Sequence, residues 1–296
     1  MGEVVWMESF YDRMAENQRN SYVLIAVVFA VCLVAVWGFS VLFFGDSGFG
    51  FVLGALFSGG YVAFTYFAAD KMILSVSGAR EAQKGEFPYL VNVVEGLSIA
   101  AGVPMPKIYV VDDPAPNAFA VGTSPDKASI AFTTGLLSMM NRAELEGVAA
   151  HELSHIKNLD SRMATIAVAM VGLVAILSDI GLRSMFWGGR GNNRGRGGGL
   201  ALIGLLIIIL SPIVAQLVRL ALSRQREFLA DASGAQLTRY PEGLASALEK
   251  MKAAGTMVQH ATDATASLYF ANPLSMGGLL STHPPIEERI KRLKEM

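Results

Sequence analysis

Four apolar runs, each about as long as a bilayer is thick, constrain this chain more than any other feature. They cover residues 21–44, 49–69, 163–182 and 200–222, and each meets the roughly 20 residues a helix needs to cross hydrocarbon. Composition agrees, with 52% hydrophobic and only 17% charged residues, against roughly 25% charged in soluble domains. The first two runs are joined by the tight turn Gly45-Asp46-Ser47-Gly48 and read as a hairpin. Gly54, Gly59, Gly60 and Thr65 interrupt the second run, and small residues of this kind suit close helix packing in lipid. The last two runs flank a Gly/Arg-rich loop, 183–199, of solvated composition. A buried hairpin of a soluble protein is the alternative for that pair, and the nearly unbroken Leu/Ile/Val of 200–222 argues against it. The sequence therefore predicts a multi-pass α-helical membrane protein.

Between and after these runs lie two polar regions, 70–162 and 223–296, and a short N-terminal segment, 1–20. Lys and Arg number eight in 70–162 and ten from Arg219 onward, none in the 45–48 turn and four in the 183–199 loop. The positive-inside rule places both polar regions and both termini in the cytoplasm, with the loop arginines dissenting. Residues 1–20 carry acidic groups and no short apolar segment before a cleavage site, so no removable signal peptide is expected. Cys32 is the one cysteine, which rules out a disulfide framework within the chain. A net charge of −1 gives no basic footprint for nucleic acid, and no phosphate-binding glycine loop is present, so no nucleotide partner is expected.

Within 70–162 the pattern predicts a helix over Pro88–Ala101, ended by Gly102 with Pro104 and Pro106 beyond it. A β-prone run follows at Lys107–Val111, then a hairpin of 117–121 and 128–133 around the turn 122–127. Asn141 is an N-cap candidate, with Glu144 three residues later as its capping-box partner. The helix that starts there carries His151-Glu152-Leu153-Ser154-His155, with a continuation toward the third apolar run open to it.

His151 and His155 are four apart, so on a helix their imidazoles share a face and converge on one point. Glu152 can then reach a water held at the same point. Neutral imidazole binds zinc, and a carboxylate beside it can accept a proton from a polarised water. Two solvated histidines are the bland alternative, against which Leu153 and Ile156 indicate a partly buried helix. Such a site needs a third protein donor and an open position. Glu227, in Ser223-Arg224-Gln225-Arg226-Glu227-Phe228-Leu229-Ala230-Asp231, is the best candidate. Asp231 lies on the same helix face and can accept a hydrogen bond from a ligand histidine. On this motif alone, ordinary charges on an exposed helix are the preferred reading; parity tips the balance toward a ligand. The HELSH segment precedes two apolar runs and Glu227 follows them, so two crossings return both to one side. His155 lies eight residues before the third run, about 12 Å along a continuous helix, which puts the site near the membrane surface.

This combination resembles the HtpX family of membrane zinc metalloproteases, relatives of the CAAX prenyl endoproteases. The resemblance spans nearly the whole chain: an N-terminal hairpin, HELSH, a second hairpin, an SRxREFxAD-like segment and a C-terminal THPP-like segment. It implies a mostly helical zincin-like (gluzincin) catalytic domain containing a small β-sheet. It implies His151, His155 and Glu227 as ligands of one Zn²⁺, Glu152 as general base and then acid, and Asp231 as support. It also implies quality control of membrane and misfolded proteins at the cytoplasmic face of a bacterial inner membrane. Asn117-Ala118-Phe119-Ala120 looks like the family's substrate-binding edge strand, where an extended peptide adds by main-chain hydrogen bonds; a plain core strand is the alternative. His283, in Ser281-Thr282-His283-Pro284-Pro285, either stabilises the tetrahedral oxyanion or belongs to a helix-start loop. His260 is read as structural or exposed, and Asp179 as interfacial.

The reading is an ATP-independent zinc endopeptidase acting on membrane-associated or misfolded proteins. Its rivals are a non-catalytic zinc-dependent membrane scaffold or transporter and a prenyl-protein endoprotease-like enzyme. A transporter should show ionisable groups or broken helices at mid-membrane, and only Pro212 and Gln216 of the fourth run qualify.

Overall fold

A computed structural model of the chain describes residues 10–44, 47–83, 85–188, 224–255, 257–259, 261, 265–271 and 284–296. Residues Met1–Ser21, Asp70–Thr165 and Leu222–Met296 group into one compact unit, and Tyr22–Ala69 with Ile166–Ala221 into another.

The second unit holds most of helix α1 (Phe10–Phe44) and of α2 (Ser47–Val76). Among the described residues, two helices are long and apolar enough to cross a membrane, Met14–Gly38 and Gly48–Val76. Their outward aromatic and aliphatic side chains, such as Phe51, Leu56 and Phe67, are exposed. The third apolar run lies within α6 (Asp160–Gly188). That helix continues through 183–188, so the start of the expected Gly/Arg loop is helical. The fourth run, 200–222, and the rest of the loop lie outside the described residues.

In the first unit the local signals decide the elements. Helix α3 (Pro88–Ala101) starts with proline in its first turn, where no N–H is needed, and ends at Gly102 with φ 68, a left-handed cap that glycine adopts without strain. Strands β1 (Ala79–Glu81), β2 (Lys107–Val111), β3 (Ala118–Val121) and β4 (Ser129–Thr133) form one sheet in the order β1-β2-β4-β3. β3 and β4 are the expected antiparallel hairpin, while β2 runs parallel to β4 and β1 antiparallel to β2. Three-residue β1 carries Arg80 and Glu81 on an exposed edge and had no apolar alternation to announce it.

A short helix α4 (Thr134–Met139) leads to α5 (Arg142–Lys157), which carries the HELSH residues. The capping box closes as expected: Glu144 N–H donates to Asn141 Oδ1 at 3.1 Å, and Asn141 N–H donates to Glu144 Oε2 at 2.8 Å. The continuation of this helix toward the third apolar run, left open by the sequence, does not occur. Asn158 and Leu159 separate α5 from α6, and Leu159 takes a φ of 63, which ends the helical hydrogen-bond ladder and redirects the chain. The core of this unit is completed by α7 (Arg224–Thr238), α8 (Pro241–Ala254) and α9 (Ile286–Lys294). Helix α5 is central: it packs on α3, α7, α8 and β3. Leu145, Val148, Leu153 and Ile156 of α5 join Leu90, Ile130, Phe132, Leu244 and Leu248 in one buried cluster.

Candidate metal centre

Three donors from two helices converge. His151 and His155 stand one turn apart on α5, and their Nε2 atoms face each other at 3.1 Å. Glu227, in the first turn of α7, reaches both: Oε2 is 3.6 Å from His151 Nε2, and Oε1 is 3.6 Å from His155 Nε2. One potential ligand atom from each lies within 4.8 Å of the others, and this is the group of side chains among the described residues that could hold a metal ion. Tetrahedral zinc with donors at about 2.0–2.1 Å requires donor separations of about 3.3 Å. The two histidine nitrogens at 3.1 Å meet this, and each has one Glu227 oxygen at 3.6 Å, so a small rotation of that carboxylate completes the set. Glu227, Asp231 and Gly234 fall on one face of α7. A Cβ on Gly234 would sit 3.0 Å from His151 N, so the missing side chain lets α7 approach α5 at backbone contact.

Each histidine is locked from behind by a carboxylate. His151 Nδ1 is 2.9 Å from Asp231 Oδ1, and His155 Nδ1 is 3.1 Å from Asp160 Oδ2. A proton on each Nδ1, donated to its carboxylate, leaves both Nε2 lone pairs aimed at the common point. The Asp231 contact is the one the i, i+4 spacing suggested. Asp160 was not legible, because it reaches His155 only through the Asn158–Leu159 break.

Arg289 is the other residue the sequence reading missed. It is 1% exposed, donates from Nε and Nη2 to Asp231 at 2.8 and 2.7 Å, and from Nη1 to Phe270 O at 2.7 Å. Its guanidinium also lies 3.6 Å from Glu227 Oε2 and 4.6 Å over the Phe270 ring. That ring meets the His151 ring edge-on at 4.8 Å. The available signal was the apolar spacing of Ile286, Ile290 and Leu293, which turns Arg289 inward on α9. Burial pushes the Asp231 carboxyl up, but the Arg289 charge and the hydrogen bonds from His151 and Arg289 outweigh it and hold it below the usual range.

Glu152 is 1% exposed, and among the described residues neither carboxylate oxygen has a hydrogen-bond partner. A buried carboxylate costs several kcal/mol unless something solvates it, so this group calls for a water or an ion beside it. Burial pushes its pKa up, and the Glu227 charge adds to that; His151, His155 and Arg289 pull the other way without cancelling it. His155 shows the reverse balance. Burial disfavours its charged form, yet the Asp160 hydrogen bond and the Glu227 charge raise its pKa to about 9. Surroundings with that preference for positive charge suit a divalent cation.

The remaining expected residues are placed as follows. Asn117, Ala118 and Phe119 are buried along β3, an edge strand of the sheet. The open side of that strand already carries residues 269–271. Phe119 bridges Tyr269, Phe270 N–H donates to Ala118 O at 2.8 Å, and the Asn117 amide exchanges hydrogen bonds with Ala271 N and O at 3.2 and 2.9 Å. Asp179 is exposed on α6. His283 and His260 lie outside the described residues. α9 does begin just after Pro284 and Pro285, with Glu287 and Glu288 in its first turn.

Residues 84–296 match the profile of peptidase family M48. A protein described as "Protease HtpX homolog" from Dictyoglomus thermophilum is 49% identical over 290 residues, covering 97% of this chain and 95% of that one. Proteins of the same description from Caldanaerobacter subterraneus subsp. tengcongensis and Tropheryma whipplei are 47% and 45% identical, each over 97% of this chain and 98% of the relative. In fold, the chain is similar to the crystal structure of S. mikatae Ste24p, with a TM-score of 0.50 at 18% identity, covering 96% of this chain and 67% of that one. With its match across more than half the chain to a peptidase family, and nearly full-length identity to HtpX proteases, this chain belongs to peptidase family M48 as an HtpX-type membrane metalloprotease.

Proposed function

We propose that the chain is a zinc endopeptidase in which His151, His155 and Glu227 hold the ion and Glu152 moves the proton. The observation that carries this reading is the buried Glu152 carboxylate, without a protein partner among the described residues and one position from a ligand histidine. A bound zinc would supply Lewis acidity, lowering the pKa of water and polarising a carbonyl. Glu152 takes the proton of the attacking water and returns it to the amide nitrogen as the peptide bond breaks. Its upward-shifted pKa suits a group that must both accept and donate. Asp231 and Asp160 keep the histidine Nδ1 protons in place, and Arg289 keeps Asp231 ionised. A purely structural zinc site is closed by four protein donors, whereas three converge here among the described residues.

An extended substrate takes the β3 edge at Asn117, Ala118 and Phe119 in this reading, which requires residues 269–271 to give up the bond to Ala118 O. His283 is the candidate donor to the oxyanion. The chain crosses the membrane four times, with both polar regions in the cytoplasm and the catalytic unit facing membrane-associated or misfolded proteins. Parity is compatible with the second pair of crossings and excludes a single one. His155 and Glu227 lie 3.6 Å apart, so the chain between them crosses an even number of times. Cleavage of casein by the detergent-solubilised protein tests the reading: it should stop with a zinc chelator and with Glu152→Gln. Turnover surviving in Glu152→Gln overturns it.

A further inference from the structure

A buried asparagine from the N-terminal helix sits behind both metal-bearing elements. Asn17 on α1 is 6% exposed. Its Nδ2 donates to Asp160 Oδ1 and to Asn158 O, both at 2.8 Å. Its Oδ1 accepts from Arg226 Nη1 at 3.5 Å. Asp160 gives its other oxygen, Oδ2, to His155 Nδ1, and Arg226 directly precedes Glu227. One amide therefore fastens the turn after HELSH, through its donor, to the start of α7, through its acceptor.

We propose that Asn17 is a positioning residue for the metal centre, acting through Asp160 on His155; this rests on the zinc reading above. The physical need is specific. Asp160 follows a helix break at a left-handed Leu159, so no regular ladder fixes the direction of its carboxylate. A carboxylate held at only one oxygen can swing, and with it the imidazole that it orients. Asn17 pins the second oxygen by a 2.8 Å hydrogen bond, where Arg226 Nε offers only a looser ion pair at 3.9 Å. Its bond to Asn158 O satisfies a carbonyl that the break exposes. Asn17 lies well outside residues 84–296, the segment that matches the peptidase family, so part of the site's support comes from beyond the recognised catalytic segment.

The test uses the full-length, zinc-loaded protein in detergent and follows zinc release to a chromogenic chelator. Outer partners of metal ligands are worth about 10–100-fold in affinity or activity, and Asn17 stands one bond further back. Asn17→Leu should speed zinc release about tenfold and lower kcat without changing KM, since Asn17 meets no substrate. Asp160→Asn should speed release as well, and Asn17→Leu added to it should change little more, because the two act along one path. Effects that multiply, or an unchanged release rate with only a lower melting temperature, would make Asn17 a packing residue and overturn the proposal. If Asn17→Leu does not accumulate, Asn17→Ser serves, since its short hydroxyl cannot span both Asp160 and the 158 carbonyl. A second readout is independent of zinc and of proteolysis. With four histidines in the chain, the Nδ1 proton of His155 can be assigned in ¹⁵N-histidine-labelled, metal-free protein. Its downfield signal should broaden or vanish in Asn17→Leu, and a signal unchanged from wild type overturns the proposal. Failure of the wild type to hold zinc would instead defeat the functional reading, leaving this signal to decide the role of Asn17.

Discussion

Asp231 and Arg289 form a buried fork, two hydrogen bonds of 2.8 and 2.7 Å between residues 58 apart in the chain. The fork does more than join α7 to α9. Asp231 also accepts from His151 Nδ1, so the ionised state of this carboxylate decides which nitrogen of His151 carries the proton. Removing the arginine leaves a buried carboxylate facing a buried imidazole with no countercharge.

Arg289→Met is therefore expected to cost about 3–5 kcal/mol, the range for breaking one side of a buried pair, seen as a lower denaturant midpoint. Arg289→Lys keeps the charge but loses the planar fork. It should recover much of the stability yet hold zinc more weakly than wild type. Equal zinc affinity in Arg289→Lys would show that the fork geometry does not matter to His151.

Glu152→Gln removes the proposed proton acceptor while keeping shape and volume. General acid–base groups contribute about 10²–10⁴ in rate, so kcat for casein or peptide cleavage should fall at least 100-fold. Zinc content, measured by metal analysis, should stay at one per chain, because Glu152 is not among the three converging donors. Loss of zinc in this variant would move Glu152 from base to ligand.

How much of this was legible in the sequence follows from the range of each interaction. His151, Glu152 and His155 are one helical turn, and Asp231 is one turn from Glu227, so 3.6-residue periodicity sufficed. The Asn141–Glu144 box and the β3–β4 hairpin are equally local. Leu159 is different: nothing in its type announces a positive φ, so periodicity carries the helix past it and gives no sign of Asp160. Arg289 and Asn17 reach the site across 58 and 143 residues respectively, distances at which spacing carries no information. The covering of β3 by residues 269–271 rests on one bridge and a few hydrogen bonds across about 150 residues of chain, contacts that no local pattern encodes.

Glu144 gives the catalytic unit an acid-sensitive joint away from the metal. It is buried, which pushes its pKa up, but Lys250 and Ser246 at 2.7 Å each and the Asn141 N–H outweigh burial and hold it below its ordinary 4.5. A carboxylate with a depressed folded pKa contributes stability that is complete above the unfolded value and is lost as pH falls through the folded one. Melting temperature should therefore drop as pH is lowered below about 4.5, and Glu144→Gln should flatten that part of the profile while lowering stability at pH 7. An unchanged acid limb in Glu144→Gln would assign it to other carboxylates.

Gly234 tests whether the approach of α7 to α5 sets the metal site. The space for a Cβ ends 3.0 Å from His151 N and 3.3 Å from its Cα, both backbone atoms that cannot swing aside. Gly234→Ala must then push the helices apart by a few tenths of an ångström, while the better helix propensity of alanine offsets part of that strain. Gly234→Val cannot be accommodated so cheaply, and overpacking of this kind costs about 1–3 kcal/mol. Because Glu227 and Asp231 ride on the same face of α7, the displacement is carried to the donors themselves. Zinc affinity should fall in the order wild type, Gly234→Ala, Gly234→Val, and chelator-induced loss of activity should quicken in the same order. A Gly234→Val protein with wild-type zinc retention would mean that α7 tilts about Gly234 and leaves Glu227 in place.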